Sequence, residues 1–193
     1  MKTIMIGRTG PRREDAEGFI RNVYRARYNA DVSVFPAHII ARVDRGDAIV
    51  CAAGLRTDRD GFFSERYLDA PVEAVLTAVC GGEVARERVF EVSNLASRAP
   101  RATAAFINEI AALGRRSGFQ WSFFTLTRRL GVMVERLGVD LTYLADADRR
   151  RIADFERWGE YYAHQPRVYA AAKTAIARLA VPDVADVRHA HAV

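Results

Sequence analysis

A mixed α/β domain is the fold this sequence predicts, with a mostly antiparallel central sheet and helices on both faces. Half of its 193 residues are hydrophobic, enough for one real core. Along the chain the apolar pattern runs helix, paired strands, then strand and helix in alternation, the order of a layered mixed sheet. A single domain over residues 1–181 is expected, with a flexible C-terminal tail over 182–193.

Residues 2–6 read as a short first strand. Residues 12–28 place Phe19, Ile20, Val23 and Tyr24 on one stripe and Arg21, Arg25 and Arg27 off it, which predicts an amphipathic helix. His38–Val43 and Ala48–Arg56 are apolar runs joined across Asp44-Arg45-Gly46-Asp47, a hairpin signal. Pro71 suits a helix start and Gly81-Gly82 its end. Arg88–Leu95 reads as the central strand, 101–117 as a helix closed by Gly118, and Gln120–Thr127 as a strand rich in aromatics. A helix marked by Leu130, Met133, Val134 and Leu137 follows, then short strands at Leu141–Leu144 and Val168–Ala172.

Composition excludes several classes. The two cysteines form no disulfide framework, and the four histidines show no ligand spacing, so no metal is expected. The first ten residues are too short and mixed for a signal core, and no stretch approaches the roughly 18–20 apolar residues of a membrane helix. A reducing cytoplasm is the expected compartment. Net charge is +5, and Lys2 and Lys173 are the only lysines. The arginines are interspersed with acids, which argues against nucleic acid and leaves phosphates or an acidic carrier protein as partners. There is no GxSxG, no P-loop and no GxGxxG.

The informative stretch is Arg88–Thr103. Strand alternation sets Phe90 and Val92 on one face and Glu91 and Ser93 on the other, with Asn94 opposite Glu91. A carboxylate in an apolar strand needs a partner or a cleft, and burial would make it a better base near neutral pH. Position alone leaves open a structural pair with Arg56, Arg86 or Arg88. The segment Ser97–Thr103 then opens a helix, with Arg98 and Arg101 beside its free N–H groups. That is a phosphate site or an ordinary solvated helix start. Trp158, Tyr161 and Tyr162 are cleft-wall or core aromatics, with a tyrosine available as a general acid.

The segments CAAGLR, FFSERYLDAPVE, EVSNLA, WSFFTLTRRL and WGEYYAHQPRVYAA, in this order, resemble the thermostable hemolysin family from about Phe19 to Ala172. That family looks like a branch of the GNAT acyltransferases close to acyl-homoserine-lactone synthases. The resemblance implies a sheet splayed between two central strands, with an acyl-carrier pantetheine in the splay. It implies an acyltransferase working from acyl-CoA or an acyl carrier protein to the amine of a small, amino-acid-like acceptor, with no tightly bound cofactor. Glu91, Ser93 and Tyr162 are the expected catalytic residues. Arg25, Arg56, Trp121, Trp158 and Tyr161 would bind substrate; Leu95, Ala96, Arg98, Arg101, Ala102 and Thr103 would hold the donor's phosphates. Asn94 stands where those synthases have arginine, and the loop after Leu95 lacks the glycines usual in GNAT proteins. A membrane-active cytolysin and a ligand-binding domain without turnover are the other readings.

Overall fold

The computed structural model describes residues 1–173. The expected tail, 182–193, lies outside the described residues. Seven strands form one sheet: β1 (Lys2–Ile6), β2 (His38–Val43), β3 (Ile49–Arg56), β4 (Val89–Ser97), β5 (Trp121–Leu126), β6 (Thr142–Asp146) and β7 (Arg167–Ala172). Their spatial order is β1-β2-β3-β4-β5-β7-β6. All neighbours are antiparallel except β4 and β5. The helices are α1 (Arg13–Tyr28), α2 (Val72–Cys80), α3 (Pro100–Arg116) and α4 (Arg128–Arg136).

Local chemistry sets these boundaries. α1 buries Ala16, Phe19, Ile20, Tyr24 and Tyr28, a three-and-four spacing, and stops at Asn29 in a left-handed conformation. Pro71 precedes α2 and Gly81 ends it at φ 71°. The β2–β3 turn is held by the Asp44 carboxylate, which accepts from the Gly46 and Ala48 N–H groups at 2.9 and 3.0 Å.

The two faces carry separate cores. On one, α1 packs over Ile39, Ala41, Ala52 and Ala96, and α2 with its preceding turn packs over Val89, Phe123, Val168 and Ala170. On the other, α3 covers Ile40, Cys51, Ala53, Leu55 and Phe90, and α4 covers Leu126 and Ala171. The alternation read from the sequence holds at Phe90 and Val92, which lie on the α3 face.

β4 departs from expectation by continuing to Ser97, two residues beyond Leu95. Its pairing with β3 shifts between Ala52↔Ala96 and Gly54↔Ser93, so Asn94 and Leu95 together face Ala53. Asn94 has φ 53°, and the pair forms a β-bulge. The bulge breaks the alternation on which the expected orientation of Asn94 rested.

The segment before β7 is clasped to the end of α1. The Asp31 N–H donates to the Arg157 carbonyl at 2.6 Å and the Glu160 N–H to the Tyr28 carbonyl at 2.7 Å. Gly159 sits between them at φ 52°, where a Cβ would meet the Tyr28 oxygen at 2.3 Å.

Gly54 permits another close approach. A Cβ there would lie 2.6 Å from Pro36 Cγ and 2.7 Å from Ser93 Oγ. Gly54→Ala is therefore expected to cost about 1–3 kcal/mol, read as a lower urea midpoint with an unchanged m-value.

Candidate active site

β4 and β5 pair only from Val89↔Trp121 to Val92↔Phe124. Beyond that point β4 stays with β3 as far as Ser97, and β5 stays with β7 as far as Leu126. The strands therefore part, and the bulge at Asn94 and Leu95 lies on the parting edge. Each strand keeps its outer neighbour, so only the backbone groups on the two inner edges lose their sheet partners.

A narrow apolar cavity of about 80 Å³ occupies the gap. Val92, Asn94 and Leu95 line it from β4, and Phe124 and Thr125 from β5. Ile107, Ile110 and Ala111 of α3 and Val134 of α4 close one end; Tyr24, Tyr28 and Tyr161 close the other. Because α1 and α3 lie on opposite faces, the cavity passes through the sheet.

Two further cavities adjoin. A basic cleft of about 800 Å³ is lined by Arg27, Arg128, Arg129, Arg136 and His164, with Leu95, Ser97 and Thr103. A charged pocket of about 330 Å³ holds Arg56, Arg66 and Arg157 against Asp31, Asp60, Glu65 and Asp154, with Trp158 and Phe63 as aromatic walls. Asn94 lines both this pocket and the apolar cavity.

Glu91 is fully buried and is the register partner of Arg56 on β3. Its carboxylate accepts three hydrogen bonds from one turn: Phe63 N–H at 2.6 Å, Ser64 N–H at 2.9 Å and Ser64 Oγ at 2.6 Å. Burial pushes its pKa above the usual glutamate range, against the opposing pull of these donors and of Arg56. Thr125 Oγ1 donates to Ser64 Oγ at 2.8 Å, linking the turn to the apolar cavity.

The other expected residues are distributed as follows. Ser93 Oγ is buried against Gly54 and Pro36 without a hydrogen-bond partner. Tyr162 shares a 2.7 Å hydrogen bond with Tyr67, whose phenol burial pushes well up; Tyr161, one residue earlier, is the one that lines the cavity. Arg56 and Trp158 are in the charged pocket. Trp121 packs with the α2-side core, and Arg25 is exposed on α1; neither lines the three cavities. Leu95 and Thr103 border the basic cleft. Thr103 Oγ1 is engaged with Ser97 Oγ at 2.7 Å, and Ala96 and Ala102 are buried. Arg98 lies over the Phe19 ring, 5.3 Å from its centroid, and Arg101 is exposed at the start of α3. The cleft's cations come chiefly from α4 and Arg27, which sequence reading passed over. The signal was present: Thr127-Arg128-Arg129 directly follows a strand and opens a helix. Ser64 and Thr125 carried no such mark.

The splayed mixed sheet has a GNAT-like fold, which solved structures share. FeeM, an N-acyl amino acid synthase from uncultured soil microbes, matches at TM-score 0.63 and 12% identity, over 93% of this chain and 95% of that one. The AHL synthase LasI matches at 0.58 and 14%, over 89% and 90%. MesI, a CoA-dependent acyl-homoserine lactone synthase, matches at 0.54 and 14%, over 91% and 92%. Comparison with curated proteins gave no match. The chain belongs to the thermostable hemolysin family, whose sequence model matches residues 6–176.

Glu91→Gln tests the buried carboxyl. The amide keeps one acceptor and turns an N–H toward the Phe63 or Ser64 donors, a loss of about 1–3 kcal/mol. A raised folded pKa makes Glu91's own contribution largest below the ordinary glutamate pKa and lost as pH rises through the folded value. The stability gap between wild type and Glu91→Gln is therefore expected to narrow as pH rises, checked by urea unfolding from about pH 4 to 8.

Proposed function

We propose that this protein is an N-acyltransferase. It moves an acyl group from an acyl thioester, carried on coenzyme A or on an acyl carrier's phosphopantetheine, to the amine of a small amino-acid-like acceptor. The observation that carries this reading is the meeting, at Asn94, of an apolar passage and a charged pocket. An acyl chain belongs in the first and a zwitterion in the second, so the thioester carbonyl and the amine come together at the bulge.

Each part has a role. The edge of β4 beyond Val92, no longer paired with β5, is the place for a backbone N–H donor to the thioester oxyanion. Arg56 and Arg66 receive the acceptor's carboxylate, and the pocket's acids receive its ammonium. Arg128 and Arg129, at the start of α4, receive the donor's phosphate, a division of labour that needs no glycine-rich loop after β4. Glu91 is the proton acceptor.

The family's name records lysis of cells. Among the described residues no helix is long and apolar enough to cross a membrane. An acylated, lipid-like product supplies an indirect route to lysis. Dye release from liposomes by purified protein without a thioester would favour direct membrane action instead.

The test is product mass. Purified protein, offered acyl-CoA or acyl carrier donors with a panel of amino acids, is expected to yield acceptors heavier by one acyl group. No acylated product with any pair would overturn the reading. Ala111→Phe fills the passage and is expected to reduce kcat/KM for long acyl donors by about tenfold or more while sparing short ones.

A further inference from the structure

Glu91, the proton acceptor in the proposed function, does not line the apolar cavity, the charged pocket or the basic cleft, and all three hydrogen bonds to its carboxylate come from Phe63 and Ser64. A base in that position cannot touch an amine held at Asn94. One chain of hydroxyls joins it to the cavity. Thr125 lines the same cavity as Asn94; its Oγ1 donates to Ser64 Oγ at 2.8 Å, and Ser64 Oγ donates to Glu91 Oε1 at 2.6 Å. Both hydrogen bonds point the same way, toward the carboxylate. Thr125's remaining lone pairs are thus left for a donor in the cavity.

From this geometry, and resting on the acyltransferase reading, we propose that Thr125 and Ser64 form a proton relay that connects the reacting amine to Glu91.

The parting of β4 and β5 explains why such a chain exists. Glu91 is paired to Phe123, and Thr125 stands two residues further on the same face of β5. There β5 has left β4, so the Thr125 hydroxyl faces the gap on one side and the Ser64 turn on the other. The Ser64 hydroxyl sits over the buried carboxylate and is itself buried.

The step balances as follows. The acceptor's ammonium first gives up one proton to solvent, and the neutral amine nitrogen then attacks the thioester carbonyl carbon. Its proton passes to Thr125 Oγ1 as the Thr125 proton passes to Ser64 Oγ and the Ser64 proton to Glu91. The carbon–sulfur bond then breaks, and the proton returns from Glu91 along the same hydroxyls to the departing thiolate. An amide and a thiol are formed, Glu91 ends ionised, and no oxidant, metal or further reactant is consumed. Thr125 is the group that touches the reactants. Ser64 acts through it, and Glu91 stores the proton.

The alternative role for these hydroxyls is to pin the Phe63–Ser64 turn to the sheet. Steady-state kinetics of Thr125→Val and Thr125→Ser separate the two. Valine keeps the β-branched shape that suits a strand and removes the hydroxyl; serine keeps the hydroxyl and removes the methyl. For the relay, Thr125→Val is expected to lower kcat by about 10²-fold with KM for both substrates held within about threefold, and Thr125→Ser to recover most of that loss. Ser64→Ala should lower kcat to a similar degree. Thermal midpoints of all three variants control for folding. Unchanged kcat in Thr125→Val, or equal losses in the valine and serine variants, would overturn the relay while leaving the acyltransferase reading in place. A wild-type protein that makes no acylated product with any donor would remove both together.

Discussion

The structure depends on one interruption in hydrogen bonding, the parting of β4 from β5 after Val92 and Phe124. A sheet can tolerate such a gap only if each strand remains paired on its outer side, and here β3 and β7 supply that pairing. The bulge at Asn94 and Leu95 shifts the register of β4 against β3 just past the point where β5 leaves. Everything that makes the protein a candidate catalyst follows from the gap. It admits an apolar cavity through the sheet, exposes a strand edge, and brings together elements from opposite faces.

The second constraint is the burial of Glu91. A carboxylate with no exposure costs several kcal/mol unless its oxygens are satisfied. The Phe63–Ser64 turn satisfies them with two N–H groups and a hydroxyl, and the aromatics around it fix that turn. Phe62 packs edge-on against Phe123 with ring centroids 5.0 Å apart, and Phe63 lies 5.5 Å from Trp158. The turn is therefore shared. It shields the carboxylate on one side and forms a wall of the charged pocket on the other.

Much of the fold was legible because its signals are local. The three-and-four spacing of α1, the hairpin turn at Asp44–Asp47, Pro71, and the glycines at 81, 118 and 138 mark boundaries that the structure reproduces within a few residues. Glu91 stood out as a charge in an apolar strand, which left open a base in a cleft or a structural pair with Arg56, Arg86 or Arg88. The partners found, Phe63 N–H and Ser64, lie 28 and 27 residues away in a turn whose backbone carries no compositional mark. The bulge at Asn94 left only a faint trace: Ser93 and Asn94, both polar, are followed by Leu95 and Ala96, both apolar, a slip in alternation that a strand read as regular conceals. The basic cleft was misplaced for a related reason. Arg98 and Arg101 are prominent in the sequence beside β4, but Arg98 is drawn over Phe19, while α4, distant in sequence, brings Arg128 and Arg129 to the same cleft. Sequence reading finds charges; which charges converge is decided by the strand order.

The clasp between α1 and the segment around Gly159 has a consequence for how the charged pocket can diversify. Asp31 and Arg157 face each other across the mouth through a backbone hydrogen bond of 2.6 Å and an ion pair of 2.7 Å, and Gly159 allows no added carbon. Main-chain contacts thus help to fix this edge of the pocket, beside the Asp31–Arg157 ion pair. Related chains that keep the clasp can alter what the pocket accepts by exchanging side chains such as Arg56, Arg66 or Asp154, with the frame held constant. Selectivity and architecture are separable here, like the teeth of a key cut from one blank.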